Sequence, residues 1–228
     1  MEMKKPFCFT QGCNLFFKEQ KMKKILFMAL GLVLLAGGLG AKDMEQIWNF
    51  DQEKTGALPQ GFNNEKGDWK VVADPTAPSK PNVLAQSAKN SGSTFNLVLC
   101  QGVNLKNVDL SVMMKAVVGQ EDQGGGLVWR AGDKNNYYIT RYNPLEDNYR
   151  LYKVEKGKRR ELQSADIKHS PGWHTLRVTM EGDLIQCFYD GRKVLEARDT
   201  TFQGPGKIGL WTKADAQSYF DELKVSGR

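Results

Sequence analysis

The stretch from Gly124 to Leu162, GGGLVWRAGDKNNYYITRYNPLEDNYRLYKVEKGKRREL, leaves this chain little choice of fold. Short bursts rich in Tyr, Val, Ile and Trp suit pleated strands. They are broken by AGDKNN, NPLEDN and EKGK, whose Gly, Asn, Asp and Pro tolerate turn geometry. The pattern predicts three or four consecutive antiparallel strands with tight connections.

The rest of the chain repeats it. Strands are expected at Glu45 to Asp51, Asp68 to Ala73, Asn82 to Gln86 and Ser93 to Cys100. In Val108 to Val118, Leu110, Val112, Met114, Ala116 and Val118 share one face, a long strand with a firm core side. Trp173 to Met180 and Asp183 to Tyr189 form a hairpin, and Asp190-Gly191 turns into Lys193 to Ala197. Lys207 to Thr212 and Phe220 to Val225 close the chain, while Gln52 to Asn64 and the proline-rich Asp74 to Asn82 read as loops. No stretch sustains an apolar period of 3.6. The expected class is all-β, an antiparallel sandwich or barrel spanning residues 42–228 as one domain.

The N-terminus reads differently. Lys23 and Lys24 precede an apolar and glycine run from Ile25 to Leu39, followed by Gly40 and Ala41. That is the layout of a secretory signal peptide, and the run is short of the ~20 residues of a membrane span. Translation is expected to begin at Met22, making residues 1–41 an over-extended start plus an export signal. The destination is then periplasmic or extracellular, with no stable membrane span after cleavage. Residues 1–41 hold six lysines against two glutamates, so only +2 of the formal +6 belongs to the remainder. The basic balance therefore does not point to nucleic acid. The cluster Lys156 to Arg160 reads as a solvated hairpin tip. Beyond the export segment only Cys100 and Cys187 remain, both inside apolar strands. They behave as small hydrophobes unless their Cα atoms approach within about 7 Å, where a bridge could form. Trp48, Trp69, Trp129 and Trp173 are assigned to the core.

The Gly124–Leu162 run, together with PGWHTLRVTMEGDLIQCFYDGRKVLEA, GPGKIGLWTKADAQSYFDELKV and WNFDQEKTGALPQGF, is similar to the exported domains called 3-keto-disaccharide hydrolase domains. Those are concanavalin A-like (LamG-like) jelly rolls with likeness to family 16 glycoside hydrolases. The resemblance covers nearly all of residues 42–228 and implies that the first and last strands pair. It also implies carbohydrate as partner. A structural calcium is a further expectation, held where the terminal strands meet by Asp51 and Asp221; the alternative is that both are strand-end acids.

A sugar site needs aromatic rings to stack on sugar faces and planar polar groups to bridge hydroxyls. The candidates are Arg130, Tyr138, Arg141, Asn143, Glu146, Asn148, Trp211 and Lys213. Catalytic residues stay unassigned. The E-x-D-x-x-E strand of laminarinase-like sandwiches is absent, and Glu146, Asp147, Asp215 and Asp221 form no recognisable carboxylate pair. His169 and His174 lack zinc spacing and read as turn and strand-edge residues. Strand parity leaves one alternative open. Arg141 shares a face with Tyr137 and Ile139, and Tyr138, Thr140 and Tyr142 share the other. Either Arg141 edges the core, held by Glu146, or it faces a cleft. The expected function is an exported carbohydrate-binding sandwich, with hydrolysis of a 3-keto-sugar glycoside a further possibility. The alternative is a non-catalytic carbohydrate- or protein-binding module of the cell envelope.

Overall fold

The computed structural model describes residues 44–228. The expected export segment lies outside them. Fifteen strands form two antiparallel sheets, and no helix occurs among the described residues.

The eight-stranded sheet runs β13 (Arg192–Arg198), β12 (Leu184–Tyr189), β11 (Trp173–Glu181), β6 (Val108–Val118), β15 (Gln217–Gly227), β4 (Asn82–Gln86), β3 (Trp69–Ala73). β1 (Met44–Trp48) joins it along β15. The seven-stranded sheet runs β10 (Lys158–Asp166), β9 (Asn148–Glu155), β8 (Asn136–Asn143), β7 (Gly126–Asp133), β14 (Lys207–Lys213), β5 (Phe95–Cys100), β2 (Phe62–Lys66). The sandwich and the terminal pairing are as expected: Met44 lies opposite Gly227 and Trp48 opposite Leu223.

Turn chemistry fixes register. Asp190 and Gly191 have φ of 47° and 77°; Lys156 and Gly157 have 51° and 76°. Two successive positive φ values give the primed turn whose twist matches a two-residue hairpin. Tyr189 therefore pairs with Arg192, and Glu155 with Lys158. The alternation of β6 holds, with Leu110, Val112 and Met114 buried between the sheets. Leu176, Val178, Met180, Trp129, Tyr138, Leu151 and Leu210 meet them there, each such side chain contributing roughly 1.5–3 kcal/mol through burial.

Two expectations are corrected, and the reading of the cysteines as small buried hydrophobes holds. Phe62–Lys66 is a strand, not a loop; its polar FNNEK sequence suits the sheet edge, where only Phe62 is buried. Trp69 and Trp129 are core, whereas Trp48 and Trp173 are only half-buried. Cys100 and Cys187 are unbridged thiols within the inter-sheet core, and burial pushes both thiols far above their ordinary pKa.

Candidate functional site

β8 is buried on both faces, which is why its alternation alone could not be read. Tyr138 and Tyr142 point between the sheets, with the main core. Tyr137 and Ile139 belong to a second apolar cluster with Leu97, Leu99, Val128, Tyr152, Val154 and Trp211. Cross-strand neighbours share a face, and Tyr137 opposes Val154, Ile139 opposes Tyr152, and Trp211 opposes Leu97. The second cluster therefore covers the face of the seven-stranded sheet turned away from its partner. By parity Arg141 lies on that outer face, yet it is buried there rather than open to a cleft, so the structure takes the face from one alternative and the carboxylate pairing from the other. Its bond to Glu146 is also present.

Arg141 is the hub of a polar cluster at one end of this face. Its Nη1 donates to Asp122 Oδ2 at 2.9 Å. Its Nη2 donates to Glu146 Oε2 at 2.7 Å and to Asn148 Oδ1 at 3.3 Å. Asn143 Nδ2 donates to Asp122 Oδ1 at 3.2 Å, and Asn148 Nδ2 to Glu146 Oε2 at 2.9 Å. Lys213 Nζ stands 3.4 Å from Asp122, and Arg150 Nη1 3.1 Å from Glu146. Five of the expected residues thus converge: Arg141, Asn143, Glu146, Asn148 and Lys213. Arg141 and Asp122 are 1% exposed, whereas Glu146 is 40% and Lys213 21% exposed. The buried pair is a fixed base and the outer two groups face solvent.

Local geometry explains the convergence. Asn143 and Asn148 close the NPLED turn as a cross-strand pair, and Asn143 Oδ1 accepts from the Leu145 amide at 2.9 Å. This folds Glu146 back beside Arg141. On the other side, a Cβ on Gly126 would sit 1.9 Å from the Thr140 carbonyl oxygen. Only glycine lets β7 enter so close to β8, and the chain just before it delivers Asp122. Burial raises the Asp122 pKa against the pull of Arg141 and Lys213. For Glu146, burial is outweighed by Asn148, Arg141 and Arg150, and its pKa falls.

Beyond this hub the face is aromatic. The Arg141 guanidinium stands 5.9 Å from the Tyr152 ring, and the Arg159 guanidinium 4.4 Å from it. Arg159 also lies 5.5 Å from the Phe95 ring and 5.6 Å from that of Trp211. Phe95 and Trp211 have centroids 5.3 Å apart, and Trp211 Nε1 donates to the Tyr137 hydroxyl at 3.2 Å. Sequence reasoning missed Asp122, which no motif marks, and Arg159, which it placed on a solvated tip. The register would have found Arg159: it pairs with Val154, so it shares that residue's face.

Other expected ligand residues are corrected. Arg130 is buried, with φ 46° at a break in the β7 register. Its guanidinium donates to the carbonyls of Lys106, Phe202 and Gly182 at 2.7, 2.8 and 2.7 Å, which leaves it structural. Tyr138 is a core ring whose hydroxyl donates to Asp199 at 2.7 Å. Trp211 lies on the right face but is fully buried, so half-buried Phe95 is the ring a ligand can reach. The expected calcium pair is also engaged internally. Asp221 is buried and accepts from the Ser79 amide (2.8 Å), the Ser79 hydroxyl (2.9 Å) and the Glu222 amide (2.7 Å); Asp51 accepts from the Asn82 amide at 3.1 Å. Oxygens so occupied suit loop anchoring rather than a cation that needs several free ones. Among the described residues no group of three His, Cys, Asp or Glu side chains could hold a metal.

Two other places invite chemistry. His174 Nδ1 lies 2.8 Å from Asp190 and Nε2 3.1 Å from the Ser170 hydroxyl, resembling a hydrolytic triad. Yet Nε2 is also 2.9 Å from the Ser170 carbonyl oxygen, an acceptor that competes with the hydroxyl for this nitrogen. A cavity of about 430 Å³ lies at the start of β6 and the ends of β11 and β15, lined by residues such as Asp109, Glu181 and Gln186. It has no aromatic wall, and so no platform for a sugar ring.

No protein-family model matches this chain, and no curated protein is similar to it. Solved structures are. The chain is similar to the carbohydrate binding module CBM66 from Bacillus subtilis, at 19% identity and a TM-score of 0.61, covering 72% of this chain and 93% of that one. It is similar to a Bacillus licheniformis beta-glucanase at 14% identity and a TM-score of 0.55, covering 81% and 98%. A variant of the GH43 protein BlXynB of Bacillus licheniformis matches at 13% identity and a TM-score of 0.58, covering 80% of this chain but only 39% of that longer one. At such identities the likeness establishes the fold: a β-sandwich of the jelly-roll kind found in carbohydrate-binding modules and glycosidases.

Proposed function

We propose that this chain is an exported carbohydrate-binding β-sandwich that receives a glycoside or polysaccharide on the outer face of its seven-stranded sheet. The observation that carries the reading is the Arg141 hub. Two carboxylates, two amides and a lysine are tied to one another around a buried guanidinium, on the same sheet face as the half-buried Phe95 ring. Such groups bridge neighbouring hydroxyls, and their mutual bonds hold them in place before a ligand arrives, which cuts the ordering cost of binding. Glu146 and Lys213 make the contacts, and Asp122, Asn143 and Asn148 position Arg141. Fold likeness to a carbohydrate binding module supports the ligand class. Calorimetric titration of the purified protein against a panel of oligosaccharides tests it. Glu146→Gln and Lys213→Ala are expected to weaken the binding at least several-fold while lowering the melting temperature by no more than a few degrees; a panel with no binder refutes the reading.

A second reading is favoured by one observation. Asp122 and Glu146 share a guanidinium, and their pKa values are moved in opposite directions. Divergent carboxylates are the mark of acid–base division in glycoside hydrolysis, and the sequence resemblance suggests 3-keto-sugar glycosides as substrates. Turnover of such a glycoside, abolished by Glu146→Gln, would establish it. Against it, both Asp122 oxygens are engaged and the residue is sealed from solvent. Export rests on the Lys23–Ala41 segment and is tested by the mass of the N-terminal peptide recovered outside the inner membrane.

A further inference from the structure

The Lys156–Gly157 primed turn sets Arg159 opposite Val154, and alternation then separates the basic run. Lys158 and Arg160 are exposed, while Arg159 turns onto the aromatic face. Three rings lie within 5.6 Å of its guanidinium carbon. Rings hold a guanidinium by its flat face and leave its N–H edge without an acceptor. Arg159 makes no ion pair among the described residues, and its Nη1 is buried without a hydrogen-bond partner. Three other cations of this face have carboxylates: Arg141 has Asp122 and Glu146, Lys213 has Asp122, and Arg150 has Glu146 and Glu161. A buried donor without an acceptor is costly; Arg141 Nε on this face also lacks one, but Arg141 holds two carboxylates with its other nitrogens whereas Arg159 holds none, so the Arg159 edge is the one left for something the chain itself does not supply.

The space beside it fits. A cavity of about 230 Å³ opens against Phe95, the ring that Arg159 overlies, and continues along Asn135 and Gly157. Lys66 and Lys134 stand on its wall, and both are exposed. The one acid there, Glu65, is bonded to Asn63 Nδ2 at 2.6 Å. The cavity supplies a sugar-sized apolar ring and a positive field, and Arg159, over the same Phe95 ring, supplies a guanidinium edge without an ion-pair partner.

We infer that this corner is a subsite for an anionic sugar residue, its ring on Phe95 and its carboxylate or sulfate on the Arg159 fork. The inference rests on the proposed carbohydrate-binding reading and specifies its ligand as an acidic glycan. A planar guanidinium matches a planar carboxylate with two parallel bonds, which favours a uronic acid.

The test is calorimetric titration of the purified protein with four probes: oligogalacturonate, its methyl ester, a sulfated galactan and a neutral galactan. The acid is expected to bind about ten-fold or more tighter than its ester, with the preference shrinking as salt rises. Arg159→Met is expected to erase the acid preference, bringing the affinity for the acid to that for the ester in the same variant. If that variant does not fold, Arg159→Lys keeps the charge without the fork and is expected to narrow the preference to a few-fold. Tightest binding of the sulfated galactan, lost in the same variant, assigns the subsite to sulfate instead of carboxylate. Equal binding of acid, ester and neutral probe overturns the inference but leaves the carbohydrate reading intact. Retained discrimination in Arg159→Met also overturns it. Silence to all four probes overturns both.

Discussion

Replacing Arg130 separates a structural arginine from a ligand-facing one. The side chain reaches from a break in β7 to three carbonyls on three separate segments: Lys106 before β6, Gly182 in the β11–β12 turn, and Phe202 before β14. Hydrogen bonds involving a charged group are worth about 1.5–3 kcal/mol each. Three would sum nominally to about 4.5–9 kcal/mol, but they share one side chain and are not additive. Water entering the vacated space also recovers part of the loss, so about 3–5 kcal/mol is expected for Arg130→Ala. With a urea slope of about 2–3 kcal/mol/M, the midpoint falls by roughly 1.5–2 M. The melting temperature falls by roughly 10 °C. Arg130→Lys supplies one compact ammonium for three acceptors and should recover less than half. The assay is urea unfolding followed by tryptophan fluorescence, with oligosaccharide titration of whatever remains folded. A loss below 1 kcal/mol accompanied by weakened sugar binding would refute the structural assignment and return Arg130 to the ligand face.

Asp122→Asn should cost about 3 kcal/mol by stranding part of the buried Arg141 charge, whereas Glu146→Gln, at a 40% exposed partner, should cost about 1 kcal/mol or less; equal losses in urea unfolding would contradict the buried-base arrangement. Asp199 accepts from Lys153, Tyr138 and the Thr201 amide, and although burial opposes it, those bonds hold its pKa down at about 2 against 3.8. A depressed carboxylate stabilises the fold above about pH 4 and loses that contribution as pH falls toward 2; at about 1.4 kcal/mol per unit, discounted for solvent screening, wild type should lose about 1–2 kcal/mol more over that window than Asp199→Asn. In protein produced without residues 1–41, which carry Cys8 and Cys13, the buried thiols Cys100 and Cys187, far from ionisation, should resist a thiol-specific chromogenic reagent in the native state and react as two equivalents in urea.

How much of this was legible depends on what each strand buries. β6 has one wet face, so its alternation showed its core side directly. The hairpins at Lys156-Gly157 and Asp190-Gly191 announced themselves because only a few residue types accept two successive positive φ values. β8 was opaque for the opposite reason: with Tyr137, Tyr138, Ile139, Thr140, Arg141 and Tyr142 all buried, alternation distinguishes two apolar faces but cannot rank them. β2 was missed because an edge strand needs only Phe62 to face inward. Arg130 and Tyr138 were misplaced by residue type alone; sugar-binding chemistry and backbone-capping chemistry use the same side chains. Asp122 could not be found, since its partner Arg141 lies 19 positions away and only strand pairing joins them.

The two-faced burial of the seven-stranded sheet is itself the strongest argument about function. A two-layer sandwich needs one apolar face per sheet, and the eight-stranded sheet obeys that rule along β6, β11 and β12, where buried and half-exposed positions alternate. The seven-stranded sheet breaks it with Trp211, Tyr137, Tyr152 and Arg141, all buried on the side the core does not require. Stability alone does not select a buried arginine there, because replacing a buried ion pair with apolar residues is commonly neutral or favourable. Departures from local rules concentrate where function is carried. The departure here is graded: a sealed pair at Arg141–Asp122, a solvent-facing rim at Glu146 and Lys213, and an unpartnered guanidinium edge at Arg159. A merely decorated sheet would have its charges paired or solvated throughout. A face that is rigid at its base and incomplete at one corner is the arrangement expected of a binding site.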